Sequence, residues 1–206
     1  MRLFDIITTT ACALPLASID TDQLIPARFM KRSRADGYGQ YLLHDMRFDE
    51  TGQARPDFPL NAASAAEAEV LVTRRNFGAG SSREAAVYAL VDFGFRCVIA
   101  PSFGDIFASN AVNNGLLPAT VSEADAEEIL SLLPSTGAAI TIDLRDGLIR
   151  LGNRTFSFSV DPIWRTKLLN GWDDLDLTVS LADGITGFEA RDAHQRPWAA
   201  LGTRRA

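Results

Sequence analysis

Asn76-Phe77-Gly78-Ala79-Gly80-Ser81-Ser82-Arg83-Glu84 stands between two segments of opposite periodicity. Ahead of it, residues 69–75 (EVLVTRR) are apolar and β-branched and read as a strand. Behind it, residues 82–93 place Ala86, Ala89, Leu90 and Phe93 at helical spacing, which predicts one buried face. Gly94 fits a helix C-terminal cap. The small residues between strand and helix allow a tight backbone turn.

Working outward, the alternation continues. Cys97–Ala100 (CVIA) is a short, wholly apolar strand of the kind expected in a sheet covered on both faces. A helix is predicted over 103–113, ended by Asn114-Gly115, and Leu116-Leu117-Pro118 leads into another strand. Ser122 caps a helix running to Leu133 before Pro134. Then the texture changes: residues 138–145 and 148–160 flank Asp146-Gly147, a type I′ hairpin signal. Asp161-Pro162 opens a helix that closes at Asn170-Gly171, and a further helical stretch covers about 174–190. Towards the N-terminus, residues 3–14 read as a strand, and Ile19-Asp20-Thr21-Asp22 as a turn or capped helix start. Residues 31–66, broken by Gly37, Gly39, Gly52, Pro56 and Pro59, read as a long excursion with short helical turns. The expected class is α/β, in a single domain over residues 1–206.

The glycine turn also carries chemistry. Ser81 followed by Glu84 matches an S-x-x-E capping box, and a helix start offers free N–H groups and a positive dipole end to an anion. Ser82 adds a hydroxyl and Arg83 a planar fork suited to a carboxylate. The plain alternative is a well-capped helix. Gly78-Ala79-Gly80 lacks the third glycine of a dinucleotide fingerprint, and no Lys-Ser/Thr completes a Walker loop, so a small organic anion is the favoured ligand. Arg28, Lys31, Arg32 and Arg34 form a second basic cluster, either a solvated surface or part of the same acidic-ligand site.

Composition narrows the function further. Of 206 residues, 20 are basic and 26 acidic, a net charge of -6 that disfavours nucleic acid as a partner. The two cysteines, Cys12 and Cys97, and two histidines, His44 and His194, form no metal-ligand spacing, so no metal is expected on this chain. Both cysteines read as buried and structural, His44 as partly exposed, and His194 as solvent-facing. Asp5 and Thr8-Thr9-Thr10 interrupt the N-terminal apolar stretch, which argues against a signal peptide. No uncharged apolar run reaches about 18 residues, so neither a membrane span nor a membrane partner is expected, and the location reads as cytoplasmic.

Three motifs occur in order: Gly80-Ser81-Ser82-Arg83-Glu84, Ile99-Ala100-Pro101-Ser102-Phe103-Gly104-Asp105-Ile106-Phe107 and Asn113-Asn114-Gly115-Leu116-Leu117-Pro118. Together with Asp20-Thr21-Asp22-Gln23-Leu24-Ile25-Pro26 and Pro56-Asp57-Phe58-Pro59-Leu60-Asn61, they resemble the small subunit of 3-isopropylmalate dehydratase, the swivelling domain of the aconitase superfamily. The resemblance covers nearly the whole chain. It implies a three-layer β/β/α fold and a large partner subunit that holds a [4Fe–4S] cluster through its own cysteines. The implied reaction moves a hydroxyl between adjacent carbons by dehydration and rehydration, converting 2-isopropylmalate to 3-isopropylmalate in leucine biosynthesis. By the same resemblance Ser81 is the base, and Gly80, Ser82 and Arg83 hold a substrate carboxylate. Asp20, Thr21, Arg28, Lys31 and Arg32 then lie by the substrate entrance. A Ser81 hydroxyl committed to capping the helix is less available as a base.

The chain departs from the family run His-Ala-Pro-Trp-Ala-Leu, having Ala85-Ala86-Val87-Tyr88-Ala89-Leu90 in its place. That departure keeps two alternatives in view. One is a related hydro-lyase acting on another hydroxy-dicarboxylic acid, such as a methyl-substituted malate. The other is a non-catalytic paralogue that binds and regulates.

Overall fold

The structure is a computed structural model that describes residues 2–133 and 138–199. Seven strands form one sheet in the order β4-β3-β2-β1-β5-β6-β7. β1 (Ile6–Leu14), β2 (Ala68–Thr73), β3 (Cys97–Ala100) and β4 (Leu117–Thr120) are parallel neighbours. β5 (Ala138–Asp143) runs antiparallel to β1 and continues through β6 (Leu148–Leu151) into β7 (Arg154–Ser157). Beyond β7, Ser159 exchanges two backbone hydrogen bonds with Thr120 at the end of β4 (2.8 and 3.1 Å), so the two edges of the sheet meet and it curls.

The curl divides the core. Its inside gathers Ile7, Val70, Val72, Cys97, Ile99, Leu117, Ala119, Ile140, Ile142, Ile149, Phe156 and Phe158. These alternate along their strands, as a two-residue period requires. The opposite face of the parallel half carries Cys12, Leu14, Leu71 and Val98. Against it pack α1 (Thr21–Leu24), α3 (Glu84–Phe93), most of α4 (Asp105–Asn113) and the turns of residues 27–67. The layers are therefore sheet, sheet and helix, the β/β/α arrangement. β3 is buried at every position and β2 at all but Glu69, hence the apolar runs Val70–Val72 and Cys97–Ala100.

Local signals act where they were read. Ser122 caps α5 (Glu123–Leu132) through Asp125 N–H at 3.0 Å, while Pro134 lies outside the described residues. Asp161 caps α6 (Pro162–Asn170), which ends on Gly171 in the left-handed region. The stretch at 174–190 is two helices, α7 (Asp174–Ser180) and α8 (Ala182–Gln195). Short 3-10 turns and the brief helix α2 (His44–Arg47) fill residues 27–67, as the Gly/Pro punctuation predicts.

Two expectations change. The loop after β5 has four residues, 144–147, because Leu144 continues inward to full burial and donates its N–H to Asp5 O. Of Asp146 and Gly147 only Gly147 has positive φ, so the turn is not type I′. The long second strand over 148–160 is folded in two at Gly152-Asn153, which returns Phe156 to the inner core.

Candidate active site

The carboxyl ends of β2 and β3 carry the informative loops, the crevice position where open α/β sheets hold ligands. Leaving β2, the chain passes Asn76 (φ 61°), whose N–H donates to Ser102 Oγ at 2.8 Å, and bonds through Phe77 to Ser102 O and Gly104 N. Gly78 follows at φ 71°, and a Cβ there would come within 2.2 Å of the Phe107 ring. Only glycine fits, for conformation and for space.

From there the turn is flanked by residues 19–22. Gly78 N–H donates to Ile19 O (2.7 Å), and Thr21 N–H to Ala79 O (3.0 Å). Thr21 Oγ1 donates to Ser81 O (3.1 Å) and lies 3.4 Å from Ser81 Oγ. Asp22 ion-pairs with the Arg83 guanidinium. A short parallel ladder thus tracks the turn almost residue by residue. Gly80 is the gap in it: at φ 104°, a Cβ would touch Thr21 Oγ1 at 3.4 Å.

The capping-box expectation fails here. Helix α3 begins at Glu84, with Arg83 as its N-cap and no side-chain cap bond. The Ser81 carbonyl is taken by Arg83 N–H (2.8 Å) and the Thr21 hydroxyl, and this delays the helix. Glu84 instead accepts from Asn114 Nδ2 at 2.9 Å. Ser81 and Ser82 are exposed on the rim, and the Ser81 hydroxyl is not consumed as a cap. The first turn of α3 follows directly, its positive end next to both hydroxyls.

Gly80, Ser81, Ser82, Arg83, Asp20 and Thr21 come together, with the Asp20 carboxylate occupied in capping α1 through Gln23 N–H at 2.7 Å. Thr21 is buried beneath the turn. Arg28, Lys31 and Arg32 stand apart. No hydrogen bond or ion pair among the described residues joins them to the Ser81 turn. Arg28 pairs with Asp45 and lies over the Phe29 ring. The Arg28 guanidinium, with His44 beside it, holds the Asp45 carboxyl below the usual carboxylate range. Lys31 and Arg32 are exposed.

Two contacts escaped the sequence reading. Asp22 reaches Arg83 across 61 positions, a pairing with no local signature. Arg34 lies 3.8 Å over the Tyr88 ring and pairs with Asp92 (3.3 Å), tying the basic segment to α3. Of the departures from the family run, Val87 is fully buried in the core and Ala85 packs against it, whereas Tyr88 carries Arg34.

Cys12 and Cys97 lie in different core clusters, on opposite faces of the sheet. Burial pushes the Cys12 thiol up to about 11 and raises Cys97 further. Neither suits a thiolate ligand, and the described residues hold no group of three or more His, Cys, Asp or Glu placed for a metal ion. The described residues offer no ligand set for an iron–sulfur cluster. No helix among the described residues is long and apolar enough to cross a membrane.

Fold and turn together define an aconitase-type swivelling domain, and the aconitase C-terminal domain family matches residues 1–124. The 3-isopropylmalate dehydratase small subunit of Rhodospirillum centenum is 42% identical over 201 residues, covering 97% of this chain and 99% of that protein. Its counterpart in Shouchella clausii is 44% identical over 183 residues, covering 89% and 93%. A crystal structure of 3-isopropylmalate dehydratase from Methanocaldococcus jannaschii superposes with a TM-score of 0.63 at 27% identity, covering 89% of this chain and 99% of that one. The chain belongs to the family of 3-isopropylmalate dehydratase small subunits.

Proposed function

We propose that this chain is the small subunit of a hydro-lyase that interconverts 2-isopropylmalate and 3-isopropylmalate in leucine biosynthesis, active with a large subunit. The observation that carries it is the rim of exposed Ser81 and Ser82 and partly buried Arg83, held in place by residues 19–22 in a chain whose relatives bear that name. The whole chain acts as one swivelling domain, and the setting is the cytoplasm.

Ser81 takes the carbon-bound proton. A serine hydroxyl is a weak base, so its oxyanion needs donors already in place. The Thr21 hydroxyl, 3.4 Å from Ser81 Oγ, can rotate its proton from the Ser81 carbonyl to that oxygen. The N-terminal end of α3 and Arg83 add positive potential. Ser82, Gly80 and Arg83 bind the carboxylate next to the acidic C–H. Lys31 and Arg32, exposed and without an ion pair among the described residues, attract the dianionic acid, together with Arg28. A [4Fe–4S] cluster would be held by the large subunit and would supply Lewis acidity there; this chain's residues would supply the base and the carboxylate contacts.

The test is reconstitution with a large subunit. Absorbance of the unsaturated acid should appear from 2-isopropylmalate only when both chains are present. Ser81→Ala should abolish it while the complex still assembles. Turnover by the Ser81→Ala pair at close to the wild-type rate would overturn the base assignment. Activity on a methyl-substituted malate alone would overturn the substrate. Complex formation without activity on either acid would favour a binding paralogue.

A further inference from the structure

We propose that Asp22 is a positioning residue for Arg83: it holds one terminal nitrogen of the guanidinium so that the opposite edge meets the substrate carboxylate in fixed orientation. This rests on the reading of Arg83 as the carboxylate clamp. An unrestrained arginine side chain has several freely rotating bonds, and ordering them opposes binding. Here Nη1 is engaged by Asp22 Oδ1, and no partner is recorded for Nε or Nη2 among the described residues. That edge presents two parallel N–H groups, the geometry a carboxylate accepts in bidentate fashion.

Asp22 is itself well anchored. It occupies the first turn of α1, whose N-cap Asp20 makes a reciprocal bond with Gln23. Its neighbour Thr21 is buried and bonded to both Ala79 O and Ser81 O. Ser81 and Arg83, the proton acceptor and the clamp, are therefore gripped by two consecutive residues of one short element. The backbone of Arg83 is fixed as well, through its N–H to Ser81 O. Asp22 removes what freedom remains, in the side chain. The Arg83 side chain is 23% exposed and that of Asp22 57%, so the pair sits at the rim.

The experiment uses the reconstituted two-subunit enzyme with Asp22→Ala, Asp22→Asn, Arg83→Ala and the Asp22→Ala/Arg83→Ala double variant. Asp22→Ala should raise KM about tenfold with a smaller change in kcat. Asp22→Asn retains an oxygen acceptor for Nη1 and should recover most of that loss. In the Arg83→Ala background, Asp22→Ala should add nothing, because Asp22 acts through Arg83. Thermal unfolding and complex assembly, measured in parallel, read any disturbance of α1. An unchanged KM in Asp22→Ala alongside a damaging Arg83→Ala would overturn this proposal alone. A harmless Arg83→Ala would overturn the clamp reading beneath it. Equal losses from Asp22→Ala in both backgrounds would show a purely structural role and also overturn it.

Discussion

Arg83 and Arg28 each sit beside an aspartate, yet the regions around them are built differently. Around Arg83, residues 19–22 run parallel to 78–83, and backbone bonds, a buried threonine and an ion pair hold Gly78, Ala79, Ser81 and Arg83. Around Arg28, the chain moves through isolated 3-10 turns, and its ion pair with Asp45 joins side chains more than half exposed (54% and 56%). Four cations close together in sequence made the second region conspicuous. Anchoring on the carboxyl edge of the sheet is what favours the first one as the proposed site. Charge can gather an acidic ligand, but orienting it for chemistry needs groups whose own freedom has already been removed.

The difference can be broken at its strongest point by Ser81→Ala. In the reconstituted pair kcat should fall about a thousandfold, the range a positioned base supplies. Unfolding free energy should stay within about 0.5 kcal/mol, since Ser81 is exposed and caps no helix. The glycines give a matched pair for stability. Gly78 and Gly37 both have positive φ, but a Cβ at Gly78 enters the Phe107 ring, whereas nothing lies within 4 Å of one at Gly37. In urea titrations Gly78→Ala should cost about 3 kcal/mol, through overpacking added to strain. Gly37→Ala should cost about 1 kcal/mol, from backbone strain alone. Equal losses at the two positions would mean that both turns are equally loose.

How far the sequence showed this depends on how local each cause is. The runs of β2 and β3, the Asp161-Pro162 start and Gly171 stop of α6, and the Asp20 cap all act within a few residues, and each appears in the fold. Asp146-Gly147 misled because burial of Leu144 and pairing of its N–H with Asp5 O outweigh the turn propensity and lengthen the loop. Ser81-x-x-Glu84 misled for the same kind of reason. Thr21, 60 positions away, holds the Ser81 carbonyl, and Glu84 turns to Asn114. The site motif was legible as composition: glycines, two serines and an arginine. The bracing of that motif by Thr21 and Asp22 was not, because it is decided by which segments the sheet brings side by side.

Thr21→Val is the next sharpest probe, since it preserves shape and removes only the hydroxyl. The Ser81 carbonyl keeps its bond to Arg83 N–H, so stability should drop by about 1 kcal/mol, while kcat falls about tenfold. A loss confined to stability would reduce Thr21 to a strut.

The smallest effect belongs to Arg28. Its guanidinium lowers the pKa of Asp45, so the folded carboxylate is favoured and the pair contributes stability above the ordinary aspartate range. As pH falls through the depressed folded value the carboxylate protonates, and that contribution disappears. Exposure screens the interaction, so Arg28→Ala should cost no more than about 0.5 kcal/mol at pH 7 and less at high salt. Once the pH lies below that depressed value, the ion pair no longer separates wild type from variant. Their pH–stability curves should converge on the acid side only, because arginine stays charged across the accessible alkaline range. A gap of several kcal/mol that survives both salt and acid would show that Arg28 is anchored as firmly as Arg83. The contrast between an oriented clamp and a solvated, attracting charge would then no longer hold.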